Sequence, residues 1–325
     1  MKQKNSLCKL SVIIPFYNEE GSVRMLYEQL ITNITNLHKK HILTDYEIIF
    51  VNDGSTDNSA KIIEKIIKSA EKVKLINLRR NFGKSKALQI AFEHAAGDII
   101  ITMDADLQDD PSEISRFIEK INQGYDLVSG WKVKRLDPLE KTLPSKMFNY
   151  VTSKFSGIQI HDFNCGFKAY RCEVIKNINI YGEFHRYIPV LAARNGFKIT
   201  EIAIKHHKRK YGVSKFGCER YLSGLFDAIS VLFLLKFYPK PMYFFGKLGL
   251  MLSTLGFLIC SYLTILWLSG QAIGHRPLLI LGVLFILVGL QSISFGLLAN
   301  IIIDKQKQNN EIFIKSVSEK KNDVQ

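Results

Sequence analysis

Hydrophobic residues change their spacing part-way along the chain. Up to about residue 217, short Ile- and Val-rich runs alternate with longer segments in which apolar residues recur every three or four positions. The short runs predict strands over Leu10–Phe16, Tyr46–Asn52, Val73–Asn77, Asp98–Met103 and Asp126–Gly130, each bounded by turn residues. The longer segments predict helices near Glu20–Leu37, Asn58–Ser69, Lys84–Ala95 and Pro111–Asn122. Asp57 is placed to cap the second helix, and Pro111 suits the first turn of the fourth. Strands alternating with helices predict an α/β domain on a mostly parallel sheet, with helices on both faces. Such sheets bind ligands beyond the carboxyl ends of their strands, so the residues that follow each strand are the first candidates for chemistry.

Beyond residue 217 the chain becomes strongly apolar. Leu248–Leu268 and Pro277–Ile303 carry no charged side chain, and each is long enough to cross a bilayer core. The alternative is a hairpin buried in a large soluble core, where two adjacent uncharged runs of this length are rare. Lys236, Lys240 and Lys247 precede the first run and Lys305 and Lys307 follow the second, while the connecting loop Ser269–Arg276 has Arg276 as its fixed charge. The positive-inside rule then places both ends of the hairpin, and the whole N-terminal domain, in the cytoplasm of a multi-pass inner-membrane protein. Upstream, Leu222, Leu225, Phe226, Ile229, Leu232 and Phe233 recur at helical spacing. That segment reads as a core-facing helix or as one lying along the membrane interface, and its place just before a span favours the interface. The expected organisation is a catalytic domain over 1–216, an interfacial segment over 217–241, a transmembrane hairpin over 242–303 and a polar cytoplasmic tail over 304–325.

Charge adds an anionic partner. The formal net charge is +14 with a pI near 9.4, which suits a nucleic acid, an acidic membrane surface or a phosphorylated substrate. The five cysteines are scattered and form no C-x-x-C pair. That argues against a zinc site or a disulfide framework and for a reduced, cytosolic setting.

Candidate chemistry gathers in four polar clusters at predicted strand ends: Pro15–Glu19, Asn52–Asp57, Asn81–Lys84 and Asp104–Gln108. Any one of them is ordinary turn chemistry; together they mark one edge of one sheet. Asp104 and Asp106, one residue apart after a buried strand, can converge on a hard divalent cation, Mg²⁺ or Mn²⁺, that bridges the protein and a diphosphate. An EF-hand fails, because Asp109 stands where the loop needs Gly and Ser115 where it needs Glu. No G-x-G-x-x-G follows the first strand and no P-loop is present.

These stretches carry a resemblance. Ser11–Glu20, Val51–Asp57 and Met103–Gln108 resemble the signature of family 2, GT-A type glycosyltransferases. His161–Tyr170 and Arg209–Lys215 narrow it to the polyprenyl-phosphate hexosyltransferase branch, similar to dolichol-phosphate mannosyltransferase and GtrB-like enzymes. Many relatives carry Asp where this chain has Asn52, but the second position, Asp53, is kept. The resemblance implies a Rossmann-like GT-A domain followed by an interfacial helix and two transmembrane helices. It implies that Pro15, Tyr17 and Glu19 line the nucleotide pocket, with Tyr17 against the base, and that Asp53 accepts from the base imide. Lys84 and Ala105 belong to the same nucleotide-sugar site. Asp104, Asp106 and Gln108 form the metal site, and Arg209 and Lys215 close over the phosphates. The run Lys205–Lys210 is otherwise a solvated or lipid-binding charge run. His206 and His207 do not suit a shared metal, since neighbours on a strand face opposite ways.

Asp162 has two readings: it orients or deprotonates the acceptor, or it caps the next element or pairs with Arg171. A phosphate acceptor is already ionised at neutral pH, so a strong base is not required. The implied reaction is inverting transfer of a hexose from a nucleotide sugar, UDP-glucose or UDP-N-acetylglucosamine, to undecaprenyl or a similar polyprenyl phosphate at the cytoplasmic face of the membrane. The glycolipid would serve modification of cell-envelope glycans. A separate flippase and a downstream glycosyltransferase follow as partners, and a homo-oligomer is left open. The rivals are a processive glycan synthase, which usually has more spans and a Q-x-x-R-W motif absent here, a small transporter, and a basic nucleic-acid-binding membrane protein.

Overall fold

The computed structural model describes residues 8–133, 149–150, 152–154, 156–180, 184–207, 240–273 and 277–308. Arg209, Lys215 and the segment Tyr221–Phe237 lie outside them. The described residues fall into two compact units, within Met1–Ile229 and Ser230–Gln325.

The first unit is a seven-stranded sheet in the order β3-β2-β1-β4-β6-β5-β7. Its strands are β1 (Cys8–Phe16), β2 (Leu43–Asn52), β3 (Val73–Asn77), β4 (Ile99–Thr102), β5 (Leu127–Trp131), β6 (Lys168–Arg171) and β7 (Ile199–Ala203). All pair in parallel except β6, which runs antiparallel between β4 and β5. The mostly parallel α/β architecture read from the sequence is what forms. The helices are α1 (Val23–Lys39), α2 (Ser59–Ile67), α3 (Lys84–His94), α4 (Ile114–Asn122), α5 (Cys172–Lys176) and α6 (Ile188–Arg194), with 3-10 turns at Pro111–Glu113 and Phe184–Tyr187. Strands β1 and β2 are buried almost throughout, as Ile- and Val-rich runs covered on both faces should be. Leu26, Leu30 and Ile34 of α1 recur at helical spacing and pack into the same core as Ile48, Ile101 and Phe117.

Two local expectations shift. The cap position of α2 is Asn58, yet it is the Asp57 carboxylate that accepts the Ser59 N–H at 3.0 Å. At the fourth helix, Pro111 opens a 3-10 turn, and Asp110 accepts the Ser112 N–H at 2.9 Å.

The second unit is a pair of helices, α7 (Pro241–Leu268) and α8 (Pro277–Gln308). The first begins seven residues before the charge-free run, so Lys247 lies inside it. Their most apolar stretches have mean hydropathy 1.9 and 2.5, and 17% of each is buried. Leu250, Phe257, Trp267, Ile280 and Leu287 are exposed, whereas a core helix of a soluble protein would hide them. Glycines seven residues apart bring the helices together: a Cβ on Gly256 would lie 2.5 Å from the Gly282 carbonyl oxygen, and one on Gly249 would lie 2.5 Å from that of Gly289. Small residues permit such close approach where apolar burial drives no association.

Candidate active site

The carboxyl ends of β1, β2, β3 and β4 share one edge, and three of the clusters expected there are knitted together. Asn18, at φ +52°, accepts the Thr56 N–H at 2.7 Å, and its own N–H donates to Ser55 Oγ at 3.0 Å. Glu19 N–H donates to Ser59 Oγ, and the Asn58 N–H donates to Glu20. Pro15, Tyr17 and Glu19 are all half-buried along this seam. Asp53 is 5% exposed, and its two oxygens accept the backbone N–H groups of Phe82 at 2.8 Å and Gly83 at 3.0 Å. Gly54 sits at φ +72°, and a Cβ there would lie 2.4 Å from the Arg80 backbone. The end of β2 therefore grips the loop that opens α3. Asn52 braces the same corner, since its side chain bonds Asn77 at 2.9 Å and accepts the Ser55 N–H.

The gripped loop delivers Lys84, whose ammonium bonds the Asp104 carboxylate just past β4. Burial pushes the Asp104 carboxyl up, but Lys84 and then Lys132 outweigh it and hold its pKa at about 2. Ala105 between the two carboxylates is buried in the core, which anchors the turn that carries them. Asp106 accepts the Gln108 N–H at 3.2 Å, and Leu107 between them is held at φ +60°, an uncommon conformation for a branched side chain. The Gln108 carbonyl accepts from His207 N–H, tying this turn to the stretch after β7.

Strand β6 brings a second group to the same edge because it runs the other way. Thr102 pairs with Lys168, so the residues before β6 meet the end of β4. Thr102 Oγ1 donates to the Gly166 carbonyl at 2.8 Å. A Cβ on Gly166 would lie 2.5 Å from Asp104 Oδ2. Lys168 is buried and donates to the carbonyls of Phe163 and Cys165; burial lowers its pKa. Asp162 is 1% exposed and accepts the Asn164 N–H at 3.1 Å. Arg171 pairs with Asp126 at 3.6 Å, so the expected structural partner of Asp162 is taken elsewhere.

Sequence reading missed three charged or polar groups here. Lys132 follows β5 and pairs with buried Asp109 at 2.9 Å; burial works against its charge, but Asp109 holds its pKa above the usual lysine range. Ending β5 at Gly130 concealed it, since the rule of looking just past each strand otherwise points to it. Lys168 opens the four-residue strand β6, too short to show a period, and His185 lies in a 3-10 turn without periodicity. The Cys165 thiol among them is pushed up to about 12 by burial, so it is inert at neutral pH.

Two carboxylates and no third acidic, histidine or cysteine ligand nearby, among the described residues, suit Mg²⁺ or Mn²⁺ rather than zinc. Those ions keep several waters and take further ligands from phosphate oxygens. Lys84, Lys132 and Lys168 supply positive potential beside Asp104.

The glycosyl transferase family 2 model matches residues 11–178, a span holding every one of these strand-end clusters. The chain belongs to that family. It is a glycosyltransferase, as the resemblance implied. Dodecaprenyl-phosphate galacturonate synthase of Rhizobium johnstonii is 36% identical over 300 residues, covering 90% of this chain and 87% of its own. Undecaprenyl-phosphate 4-deoxy-4-formamido-L-arabinose transferase of Proteus mirabilis is 34% identical over 297 residues, 90% of this chain and 88% of that one. Glucosyl-3-phosphoglycerate synthase of Mycobacterium tuberculosis, crystallised with Mn²⁺, UDP and phosphoglyceric acid, shares the GT-A fold at TM-score 0.50 and 17% identity, over 70% of this chain and 78% of that one.

Proposed function

We propose that this glycosyltransferase moves a sugar from a nucleotide sugar to a polyprenyl phosphate at a membrane. The observation that carries the reading is the length of the match to the two relatives named for such lipids: it covers 90% of the chain, and so runs past the catalytic unit into the helical hairpin. The relatives named here handle galacturonate and a modified pentose, so the donor panel must reach beyond UDP-glucose and UDP-N-acetylglucosamine, the donors favoured from sequence.

In this reading Asp104 and Asp106, with Gln108 beside them, hold a divalent cation, which when bound neutralises charge on the departing diphosphate. Pro15, Tyr17 and Glu19 line the nucleotide pocket. Asp53, anchored to the Phe82 and Gly83 amides, keeps its remaining lone pairs for the base and fixes the approach of Lys84. Lys84, Arg209 and Lys215 stabilise negative charge on the leaving group. The acceptor phosphate attacks the anomeric carbon from the opposite face, inverting it, and Asp162 orients the acceptor rather than deprotonating it. The hairpin anchors the enzyme in the membrane that carries the acceptor, which turns a search in solution into positioning at a surface.

Purified protein in detergent, given polyprenyl phosphate and a panel of radiolabelled UDP- and GDP-sugars that includes a uronic acid and a modified pentose, tests the reading. One donor should yield labelled lipid, excess chelator should abolish the product, and Asp104→Asn should lower turnover at least 100-fold without unfolding the protein. Full activity in chelator would overturn the metal assignment, and no labelled lipid from any donor would overturn the function.

A further inference from the structure

His185 packs against the start of α3, beside the lysine that reaches Asp104. Its backbone N–H donates to Ser85 Oγ at 3.1 Å, and its ring Nδ1 lies 2.9 Å from the same oxygen. Ser85 is 1% exposed and makes no other side-chain hydrogen bond among the described residues. A buried hydroxyl must place its proton somewhere, and Nδ1 is the acceptor within reach. Ser85 O–H therefore donates to Nδ1, which leaves the ring proton on Nε2. That nitrogen has no partner among the described residues, and it is not among the buried polar atoms left unsatisfied, so it opens onto accessible space. The ring is close enough to Asp104, Lys84 and Lys168 to feel all three charges. Burial first, then the neighbouring Lys84 and Arg186, hold its pKa well below the ordinary histidine value, so at neutral pH the ring is an uncharged donor.

We propose that His185 is a substrate-contacting residue of this site: Ser85 fixes its tautomer through Nδ1, and Nε2–H is presented to an anionic or hydroxyl oxygen of the bound nucleotide sugar. The inference rests on the reading of the site as a nucleotide-sugar site. A neutral donor suits this place. Lys84 already supplies charge, and a fixed N–H adds direction for one oxygen at no reorganisation cost. The Ser85–His185 pair also joins the loop that carries Lys84 to the 3-10 turn before α6, so the donor and the lysine move as one body.

Two substitutions separate this role from a structural one, because asparagine places a polar atom near Nδ1 and glutamine places one near Nε2. His185→Asn should keep the Ser85 bond and a wild-type Tm, yet lower kcat about 10- to 100-fold, in line with loss of one positioned donor. His185→Gln should lose the Ser85 bond and some Tm, yet keep kcat within about threefold of wild type. The reverse ranking, asparagine active and glutamine inactive, would show that His185 only braces α3. A second measurement stands apart from turnover: ¹⁵N-histidine spectra of the whole protein in detergent. They should show His185 neutral with its proton on Nε2, and that resonance should move on adding UDP with Mg²⁺. A proton on Nδ1, or no response to UDP, overturns the proposal even if no sugar donor is found; wild-type protein that binds UDP but glycosylates no lipid overturns the transfer reading alone.

Discussion

A methyl group on Gly166 would collide with both oxygens of Asp104, at 2.5 and 2.6 Å. The carboxylate can yield only by leaving Lys84, because the Gly166 carbonyl is pinned by Thr102. Gly166→Ala should therefore misplace Asp104, the proposed metal-holding carboxylate, by a fraction of an ångström to an ångström while leaving the core intact. Displacement on that scale costs about 100-fold in rate. The check is transfer activity beside a thermal melt: activity should fall about 100-fold while Tm shifts by only a few degrees. An active Gly166→Ala enzyme would mean that the Asp104 rotamer is not what the chemistry needs.

At the scale of elements, Glu47 on β2 does the joining. It is 4% exposed, and it accepts from Ser11 Oγ on β1 at 2.6 Å, from Lys74 on β3 at 2.6 Å and from the Ala96 N–H ahead of β4 at 2.7 Å. Burial pushes its carboxyl up, but Lys74, Ser11 and Ala96 together pull it below the ordinary value. A carboxyl whose folded pKa is depressed adds stability that is fully present above its unfolded pKa of about 4.3 and is lost as pH falls through the folded value. Glu47→Gln should cost about 2 kcal/mol at neutral pH, the scale of hydrogen bonds to a buried charge. It should also flatten the acid limb of stability below about pH 4. Denaturant titrations of both proteins from pH 3 to 7 measure both effects.

The same scale shows what was legible in the sequence. Strand β3 has the bounds its Val73–Asn77 run predicts, and Asp104 and Asp106 became candidates because they come just past β4, Lys84 because it closes the polar cluster after β3. Helix α1 starts at Val23 rather than near Glu20, because Asn18 to Glu20 are spent latching onto the loop after β2. Strand β6 has four residues, α5 five and α6 seven, too few for either period to declare itself. Lys168 and His185 reach the site through those short pieces, so no local pattern points to them.

At the scale of the whole molecule, we propose that the two apolar helices cross a membrane and so set the side on which the chemistry occurs. Lysines flank its outer ends, and nucleotide sugars and reduced thiols belong to the cytosol, so we expect residues 1 to about 240 and the tail to be cytoplasmic. Gly274→Cys and Asn310→Cys, each in a background without native thiols, test this with an impermeant thiol reagent on intact cells. Position 274 should label and 310 should not; labelling at 310 would reverse the orientation. On that orientation we expect the proposed glycolipid to form on the inner leaflet and to require a separate flippase, since a two-helix hairpin offers a polar headgroup no path of its own. The antiparallel strand β6 has one more consequence. The stretch from Trp131 to Lys168 leaves the sheet from β5 and returns beside it, since Ser129 pairs with Lys168. Both neighbouring strands hold β6 in register, Thr102 of β4 on one side and Ser129 of β5 on the other. That register seats Gly166, two residues before β6, against Asp104, two residues past β4. A one-residue slip of β6 would turn Lys168 to the opposite face of the sheet and carry Gly166 away from the carboxylate.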